Sequence, residues 1–188
     1  ILAAHVTECY CARGLVHVEV RSKDAHREWH AGSFGGGAQN PSRVLNRILG
    51  GLFDEDGRIT ILGVYEGVKD MPADILAQWS KLNLTADRVL KPIGLSIPAG
   101  EKGRLLIEQV SSRPTCDLNG IIGGYTGEGS KTVIPAQASA KVSFRLVQRH
   151  EPDKIRTAFR DYVPPPPPGD CSPGLTATAT PPHPPPPS

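Results

Sequence analysis

The stretch GGYTGEGSKT at residues 123–132 has a spacing close to that of a phosphate-binding loop. Such a loop requires G-x-x-x-x-G-K-[ST], so that backbone N–H groups, a lysine and a hydroxyl meet the phosphates and magnesium. Here Ser130 stands between Gly129 and Lys131, which moves the lysine and the threonine by one position. The residues that follow, VIPAQASAKVSFRLV, alternate like a strand and do not open a helix. The pattern therefore argues against a nucleotide site.

The four cysteines fit neither a metal site nor a disulfide framework. Cys9 and Cys11 are separated by one residue, which is shorter than the spacing in a zinc knuckle, and Cys116 and Cys171 lie far from both. Small disulfide-stabilised domains are much denser in cysteine than this chain of 188 residues. We interpret the cysteines as reduced thiols of a cytoplasmic protein and expect no metal ligands in this chain.

The overall charge and hydropathy exclude two classes of partner. The net charge is only +2, with both signs interspersed, so neither nucleic acid nor an anionic membrane is expected. No run of about 18 apolar residues is present, so no membrane-spanning helix is expected. Eleven of the 19 prolines fall in two runs, at 164–168 and 181–187. These runs predict a polyproline or irregular tail over 164–188, which is either a solvated end or a ligand for a groove of the SH3 or WW type.

The elements that must position any site are predicted from periodicity. LVHVEVR at 15–21 alternates like a half-buried strand, and Asn40-Pro41 is typical of a helix start. A second strand is expected at 58–62 (RITIL), and an insertion with two short helices at about 66–104. Strand-like runs follow at 105–110, 115–121 and 137–147, before a helix that begins at Pro152 and ends before Pro164.

This order of elements, β-α-β-(insertion)-β-β-α, predicts an α+β fold. Two helices would cover one face of a four-stranded antiparallel sheet in a two-layer, ferredoxin-like sandwich. Residues 13–163 would form the domain, preceded by a fragmentary segment at 1–12 and followed by the proline-rich tail. Arg145 would then lie on the open face of the sheet, where a ligand or another domain could meet it.

Four blocks of the sequence resemble the lid, or dimerisation, domain of the dizinc exopeptidases of peptidase family M twenty. They are DAHREWHAGSFGGGAQNP, DEDGRITILGVYEGV, SRPTCDLNGIIGGYTGEGSKTVIPAQASAKVSFRLV and DKIRTAF. The family includes carnosinase-type dipeptidases, carboxypeptidase G, aminoacylases and succinyl-diaminopimelate desuccinylase. The likeness covers about 13–163 and is greatest to the dipeptidase branch, which carries the insertion.

The resemblance implies that this chain is one part of a larger hydrolase. In the family, a separate catalytic domain binds two zinc (or manganese) ions and provides the general base, and two lids pair in a homodimer. None of the motifs that hold those ions is recognisable here, so the isolated chain is expected to be inactive. The implied partners are the missing catalytic domain, a second lid, and a peptide or N-acyl amino acid substrate.

The same resemblance gives three residues a role in the active site. His30, in E-W-H-A-G, matches a histidine that reaches across the dimer and stabilises the oxyanion of the tetrahedral intermediate. Thr132 and Arg145, thirteen residues apart, match residues that bind the carboxylate of the substrate. The glycine loop would then approach a peptide carboxylate rather than a nucleotide. His26 has no such support, Asn40 is first a helix cap, and Asn119 is left without a role.

One other class of function remains open on the sequence. A stand-alone ferredoxin-like module could bind proteins and use its proline-rich tail to recruit a partner. Its RNA-binding form would need aromatic side chains on the open face of the long strand, and that face carries serine, lysine and arginine instead.

Overall fold

The computed structural model describes residues 14–23, 27–82, 84–147, 150–165 and 176–179. Its centre is a four-stranded antiparallel sheet of β1 (Leu15–Lys23), β3 (Thr115–Gly123), β5 (Gln137–Arg145) and β6 (Thr176–Ala179). The order of these strands across the sheet is β3-β5-β1-β6. A separate two-stranded ribbon pairs β2 (Trp29–His30) with β4 (Val133–Ile134), and a single-turn helix, α1 (Ala31–Phe34), follows β2.

Two amphipathic helices cover one face of the sheet. They are α2 (Pro41–Gly50), which packs over β1 and β5, and α6 (Pro152–Tyr162), which packs over β1. The alternating valines of β1 and the inward residues of β5 meet the apolar stripes of both helices in one core. Phe144 and Phe159 lie at its centre, with ring centroids 5.6 Å apart in an edge-to-face arrangement. The predicted α+β class, with helices on an antiparallel sheet, is confirmed; the ferredoxin-like layout stays a prediction.

The predicted start of α2 is confirmed in detail. Asn40 has extended backbone angles, and its Oδ1 accepts a hydrogen bond of 2.9 Å from the backbone N–H of Ser42. Pro41 occupies the first turn, where its missing N–H leaves no bond unmade. At the other end, the hydroxyl of Tyr162 donates to the carbonyl of Ile48 at 2.9 Å and ties α6 to α2.

The strand predicted at 58–62 is wrong. Ile59, Ile61 and Val64 are buried, as the alternation indicated. The segment makes only an isolated bridge between Ile59 and Phe53, is followed by turns, and does not join the sheet. The carboxylate of Asp54 accepts the backbone N–H of Asp56 and of Arg58, each at 2.9 Å, and so bends the chain where a strand should begin. The fourth strand is instead β6, within the segment that the sequence assigned to the tail.

The strand predicted at 105–110 is also wrong, because this stretch forms a short helix, α5 (Leu106–Ser111). Apolar residues at 105, 106, 107 and 110 suit either period, so the pattern alone did not decide. The side chain of Glu108 accepts the backbone N–H of Leu105 at 2.9 Å and stabilises the first turn of the helix.

Strand β3 contains one extra residue. Leu118 is opposite Val142 and Gly120 is opposite Lys141, which leaves Asn119 without a partner on β5. Such a bulge changes the face on which the following side chains lie. As a result, Leu118 and Ile121 both lie on the helix-covered side of the sheet, opposite the core residues Val142 and Ala140.

The predicted insertion is helical and is attached to the core by a buried ion pair. Its helices are α3 (Ala73–Lys81) and α4 (Ala86–Val89), followed by a 3-10 turn at Lys91–Ile93. Where the chain returns, Arg113 donates to both carboxylate oxygens of Glu101 at 2.8–3.1 Å, and each side chain is 6% exposed. The guanidinium groups of Arg58 and Arg113 lie over the ring of Tyr65, at 4.5 and 5.1 Å from its centroid.

These groups change one another's ionisation. Burial disfavours the charged form of Glu101, but the hydrogen bonds from Arg113 and Tyr65 outweigh it and lower the pKa of the carboxyl. Burial raises the pKa of Tyr65 to about 12.

Some of the sequence predictions lie outside the described residues: those for His26, for Cys9, Cys11 and Cys171, for the segment 1–12, and for most of the proline runs.

Candidate functional site

His30 and Thr132 lie side by side, although 102 residues separate them. The ribbon formed by β2 and β4 brings them together, with His30 opposite Val133 and Trp29 opposite Ile134. The backbone N–H of Ala31 extends this pairing by donating to the carbonyl of Thr132 at 3.0 Å. Two of the three residues selected from the sequence therefore belong to one site.

The imidazole of His30 makes a hydrogen bond through each of its nitrogens. Nδ1 accepts the backbone N–H of Gly32 at 3.1 Å, and Nε2 lies 3.2 Å from Oγ1 of Thr132. Both side chains are exposed, so the Nε2–Oγ1 pair is open to a ligand from outside the chain. Chemically, the ring N–H and the hydroxyl could both donate to one oxygen atom of a ligand, if that atom takes the place of the contact between them.

The residues around this pair fasten the two segments together. Glu28 and Lys131 form an ion pair of 2.8 Å, and this contact raises the pKa of Lys131. Trp29 packs on Phe34, with centroids 4.8 Å apart, and the guanidinium of Arg27 lies 4.4 Å above the ring of Trp29. Sequence reasoning missed the ion pair between Glu28 and Lys131, because residues about a hundred positions apart leave no local pattern.

The glycine loop before Thr132 has the backbone that only glycine adopts easily. Gly124 and Gly129 have φ angles of +77° and +80°. At Gly123 the reason is space: a Cβ atom would lie 2.8 Å from Cβ of Ala138 and 3.0 Å from Oγ of Ser42. The loop therefore returns the chain from the end of β3 to β4 in a tight turn, and the structure gives it no nucleotide-like helix start.

Arg145 does not join His30 and Thr132. It is the last residue of β5, opposite Leu15 and Thr115. His30 and Thr132 lie towards the other end of β5, because the adjacent Glu28 lines the same groove as Gln137. Eight steps of extended strand separate Gln137 from Arg145, which is about 26 Å at the usual rise. Within the described part of the chain, the exposed guanidinium of Arg145 has no carboxylate partner within ion-pair distance.

The described residues do not fit a metal centre. Among them, no group of three or more histidine, cysteine, aspartate or glutamate side chains could hold an ion. Cys116 is buried within the core, and burial raises the pKa of its thiol to about 12, aided by the charge of Asp117. Over the same residues, no helix is long and apolar enough to cross a membrane.

Comparisons with known proteins give this fold a family. The family described as "Peptidase dimerisation domain" matches residues 12–171. The Cys-Gly metallodipeptidase dug1 of Schizosaccharomyces pombe is 26% identical over 154 residues, which is 82% of this chain and 32% of that protein. The Beta-Ala-His dipeptidase of Rattus norvegicus is 28% identical over 151 residues, covering 80% of this chain and 31% of that protein.

Solved structures resemble the chain to a similar extent. The M20 family metallo-carboxypeptidase Sso-CP2 from Sulfolobus solfataricus has a TM-score of 0.69 at 29% identity, covering 80% of this chain and 34% of that one. Human carnosine dipeptidase 1 has a TM-score of 0.71 at 24% identity, over 80% and 32%, and shows the fold alone. The chain spans about a third of the length of the relatives it matches.

Proposed function

Because the chain belongs to the family of peptidase dimerisation domains, we propose that it joins two copies of a metallopeptidase and contributes side chains to their active sites. The observation that carries the first half is the free edge of β3. Among the described strands, β3 pairs with β5 alone, so its other edge presents unpaired N–H and C=O groups.

The side chains beside this edge suit a protein partner. Leu118, Ile121 and Ile122 are 41%, 54% and 70% exposed. Leu118 and Ile121 lie on the helix-covered side of the sheet, but α2 and α6 pack over β1 and β5 and leave them uncovered. A second copy could place its own β3 antiparallel to this one about a two-fold axis, so that the same surface is used twice.

Light scattering after size exclusion tests this proposal. A single chain has a mass of 20.1 kDa, and we expect twice that mass at micromolar concentration. Ile121→Lys should shift the equilibrium to the monomer, because a charge would be buried in the interface. Leu62→Lys is the matched control, since Leu62 is 89% exposed on the segment beside α6. A monomeric wild type, or a dimer that Ile121→Lys leaves intact, would overturn the proposal.

For the second half, His30 is proposed to donate to the former carbonyl oxygen of the substrate. Thr132, which the resemblance assigned to the substrate carboxylate, is proposed to donate to the same oxygen as His30, because its hydroxyl lies beside Nε2. Hydrolysis of an amide places negative charge on the former carbonyl oxygen, and donors already in position stabilise it. The geometry that supports this is the exposed Nε2–Oγ1 pair, held on a two-stranded ribbon rather than on a free loop. Arg145 is proposed to bind a carboxylate through the fork of its guanidinium.

The distance between these groups supports a site built from two copies. A dipeptide spans at most about 7 Å when extended, whereas β5 alone separates Gln137 from Arg145 by about 26 Å. One copy therefore does not offer His30 and Arg145 to the same small substrate. In a dimer, His30 and Thr132 of one copy and Arg145 of the other serve one active site.

The remainder of the enzyme is proposed from its relatives. The Cys-Gly metallodipeptidase and the Beta-Ala-His dipeptidase are named for dipeptides, so we propose a dipeptide or a related N-acyl amino acid as substrate. Two zinc or manganese ions would activate water in a catalytic part that this chain does not include. With either metal added, the isolated chain should not hydrolyse a dipeptide, and turnover by it would contradict this division of roles.

A further inference from the structure

Gly32 makes an unusually close approach to the imidazole of His30. Its backbone N–H donates to Nδ1 at 3.1 Å. A Cβ atom at position 32 would lie 2.7 Å from Cε1 and 3.0 Å from Nδ1 of that ring, distances at which something must shift. The backbone is restrained by the pairing of β2 with β4 and by the bond from Ala31 to Thr132. With a side chain at position 32, the exposed ring is the part that would move.

The bond from Gly32 also determines where the proton of a neutral ring lies. A neutral imidazole has one nitrogen that donates and one that accepts. Because Nδ1 accepts the N–H of Gly32, the proton is on Nε2, the nitrogen that lies 3.2 Å from Oγ1 of Thr132. The N–H of the ring is therefore directed to Oγ1 of Thr132 and not to the backbone of Gly32.

We infer that Gly32 is a positioning residue, which holds the His30 ring so that its Nε2–H remains directed to the Thr132 side. The inference deepens the role proposed for His30 and rests on it, although Gly32 itself contacts no substrate. Its contribution comes from two properties together: a backbone N–H that fixes Nδ1 as acceptor, and the absence of a Cβ that would displace the ring.

Nuclear magnetic resonance of the ¹⁵N-labelled chain tests the arrangement without any catalysis. Once the ring of His30 is neutral, which is recognised by nitrogen shifts that no longer change with rising pH, we expect it to show a protonated Nε2 and a hydrogen-bonded, unprotonated Nδ1. The Gly32 amide should exchange slowly for a residue in an exposed turn. In the wild-type chain, a protonated Nδ1 or a Gly32 amide that exchanges as in an unfolded peptide would be sufficient to overturn the inference.

Gly32→Ala is the direct perturbation and Gly37→Ala its matched control. At Gly37 the nearest atom to a Cβ is the carbonyl oxygen of Phe34 at an ordinary 3.7 Å, and no ring lies in the way. Gly32→Ala should shift both ring nitrogens of His30 and remove the protection of the amide at position 32, whereas Gly37→Ala should do neither. Unchanged ring nitrogens in a folded Gly32→Ala chain would contradict the inference.

Kinetics of a complete enzyme that contains this domain then separate the two claims. A displaced donor reduces the stabilisation of the transition state and leaves substrate binding almost unchanged. Gly32→Ala should therefore lower kcat by about 10²-fold with little change in KM. A rise in KM with an unchanged kcat would count against a positioning role for Gly32. If the ring moves and kcat does not, the effect of Gly32 on the ring is upheld and the proposed role of His30 is lost.

Discussion

Oγ1 of Thr132 lies 3.2 Å from Nε2 of His30, so two of the three side chains that the family resemblance singled out are in contact although they are 102 positions apart in the sequence. The contact follows from a ribbon of only two residues on each side, reinforced by the ion pair between Glu28 and Lys131. A donor pair held in this way keeps its geometry before a substrate arrives, which is what electrostatic stabilisation of a transition state requires.

The first prediction concerns this pair. In a complete enzyme, His30→Ala should lower kcat by about 10²–10³-fold, because one preorganised donor to the oxyanion is lost. Steady-state kinetics on a dipeptide measure it, and His150→Ala provides the control, because His150 lies just before α6 and outside the ribbon of β2 and β4. If kcat is the same with and without His30, the role assigned to it is wrong.

The second prediction separates Arg145 from His30. Mixed dimers can be formed from one copy that carries His30→Ala and a second that carries Arg145→Met. If both groups of one site come from different copies, such a heterodimer retains one intact site and one that lacks both groups. We expect about half of the wild-type activity in the purified heterodimer, whereas each homodimer should be inactive. Activity near zero would mean that both groups act within a single copy.

The third prediction concerns the buried pair that holds the insertion. Arg113→Met should lower the free energy of unfolding by about 3–5 kcal/mol, because it leaves the carboxylate of Glu101 buried without its main partner. Replacing both residues with methionine should cost less than the single change. Urea unfolding followed by circular dichroism gives the loss for each single variant and for the double variant, and single losses that add up to the double one would show that the charges are not coupled.

The fourth prediction follows from the lowered pKa of Glu101. A carboxyl whose pKa is lower in the folded state than its ordinary value of 4.5 stabilises the fold above that value. This contribution is lost as the pH falls from 4.5 through the lower, folded value. The Glu101→Gln variant should therefore show a smaller loss of stability than the wild type over that range. Parallel curves for the two proteins would indicate that Glu101 is not linked to folding.

The fifth prediction concerns the thiol of Cys116. It is 6% exposed and its pKa is raised to about 12, so at neutral pH it is neither accessible nor ionised. Iodoacetamide should modify it only as fast as the domain opens, and peptide mapping separates it from the other cysteines. Complete labelling in denaturant is the control. Rapid labelling of the native chain would show that the core around β3 is open.

The parts of this fold that the sequence predicts well are those where periodicity and capping agree. The strand at β5 and the helix at α2 follow from alternation and from Asn40-Pro41. The segment at 58–62 fails because Ile59 and Ile61 are buried without a strand partner in the sheet, so burial matches the pattern while the hydrogen bonds do not. Alternation reports which side chains are inside, but it does not report what the backbone pairs with.

In the candidate site, too, sequence patterns predict some relationships between residues and miss others. Local spacing gives no reason to join His30 with Thr132, and the resemblance gave them different roles, with the oxyanion assigned to His30 and the substrate carboxylate to Thr132. The spacing of thirteen residues between Thr132 and Arg145 gave the opposite impression, of one shared site. Because most of that interval is extended chain, it separates the two residues rather than bringing them together.

The extra residue in β3 has a consequence for any surface built on that strand. Leu118 and Ile121 are an odd number of positions apart, and in a regular strand they would point in opposite directions. Because Asn119 is an extra residue without a partner on β5, the apolar side chains of Leu118 and Ile121 lie on the same side of the sheet. If β3 instead paired regularly through Asn119, with the same composition, charge and length, Ile121 would turn to the other face of the sheet and the patch would be divided between the two sides.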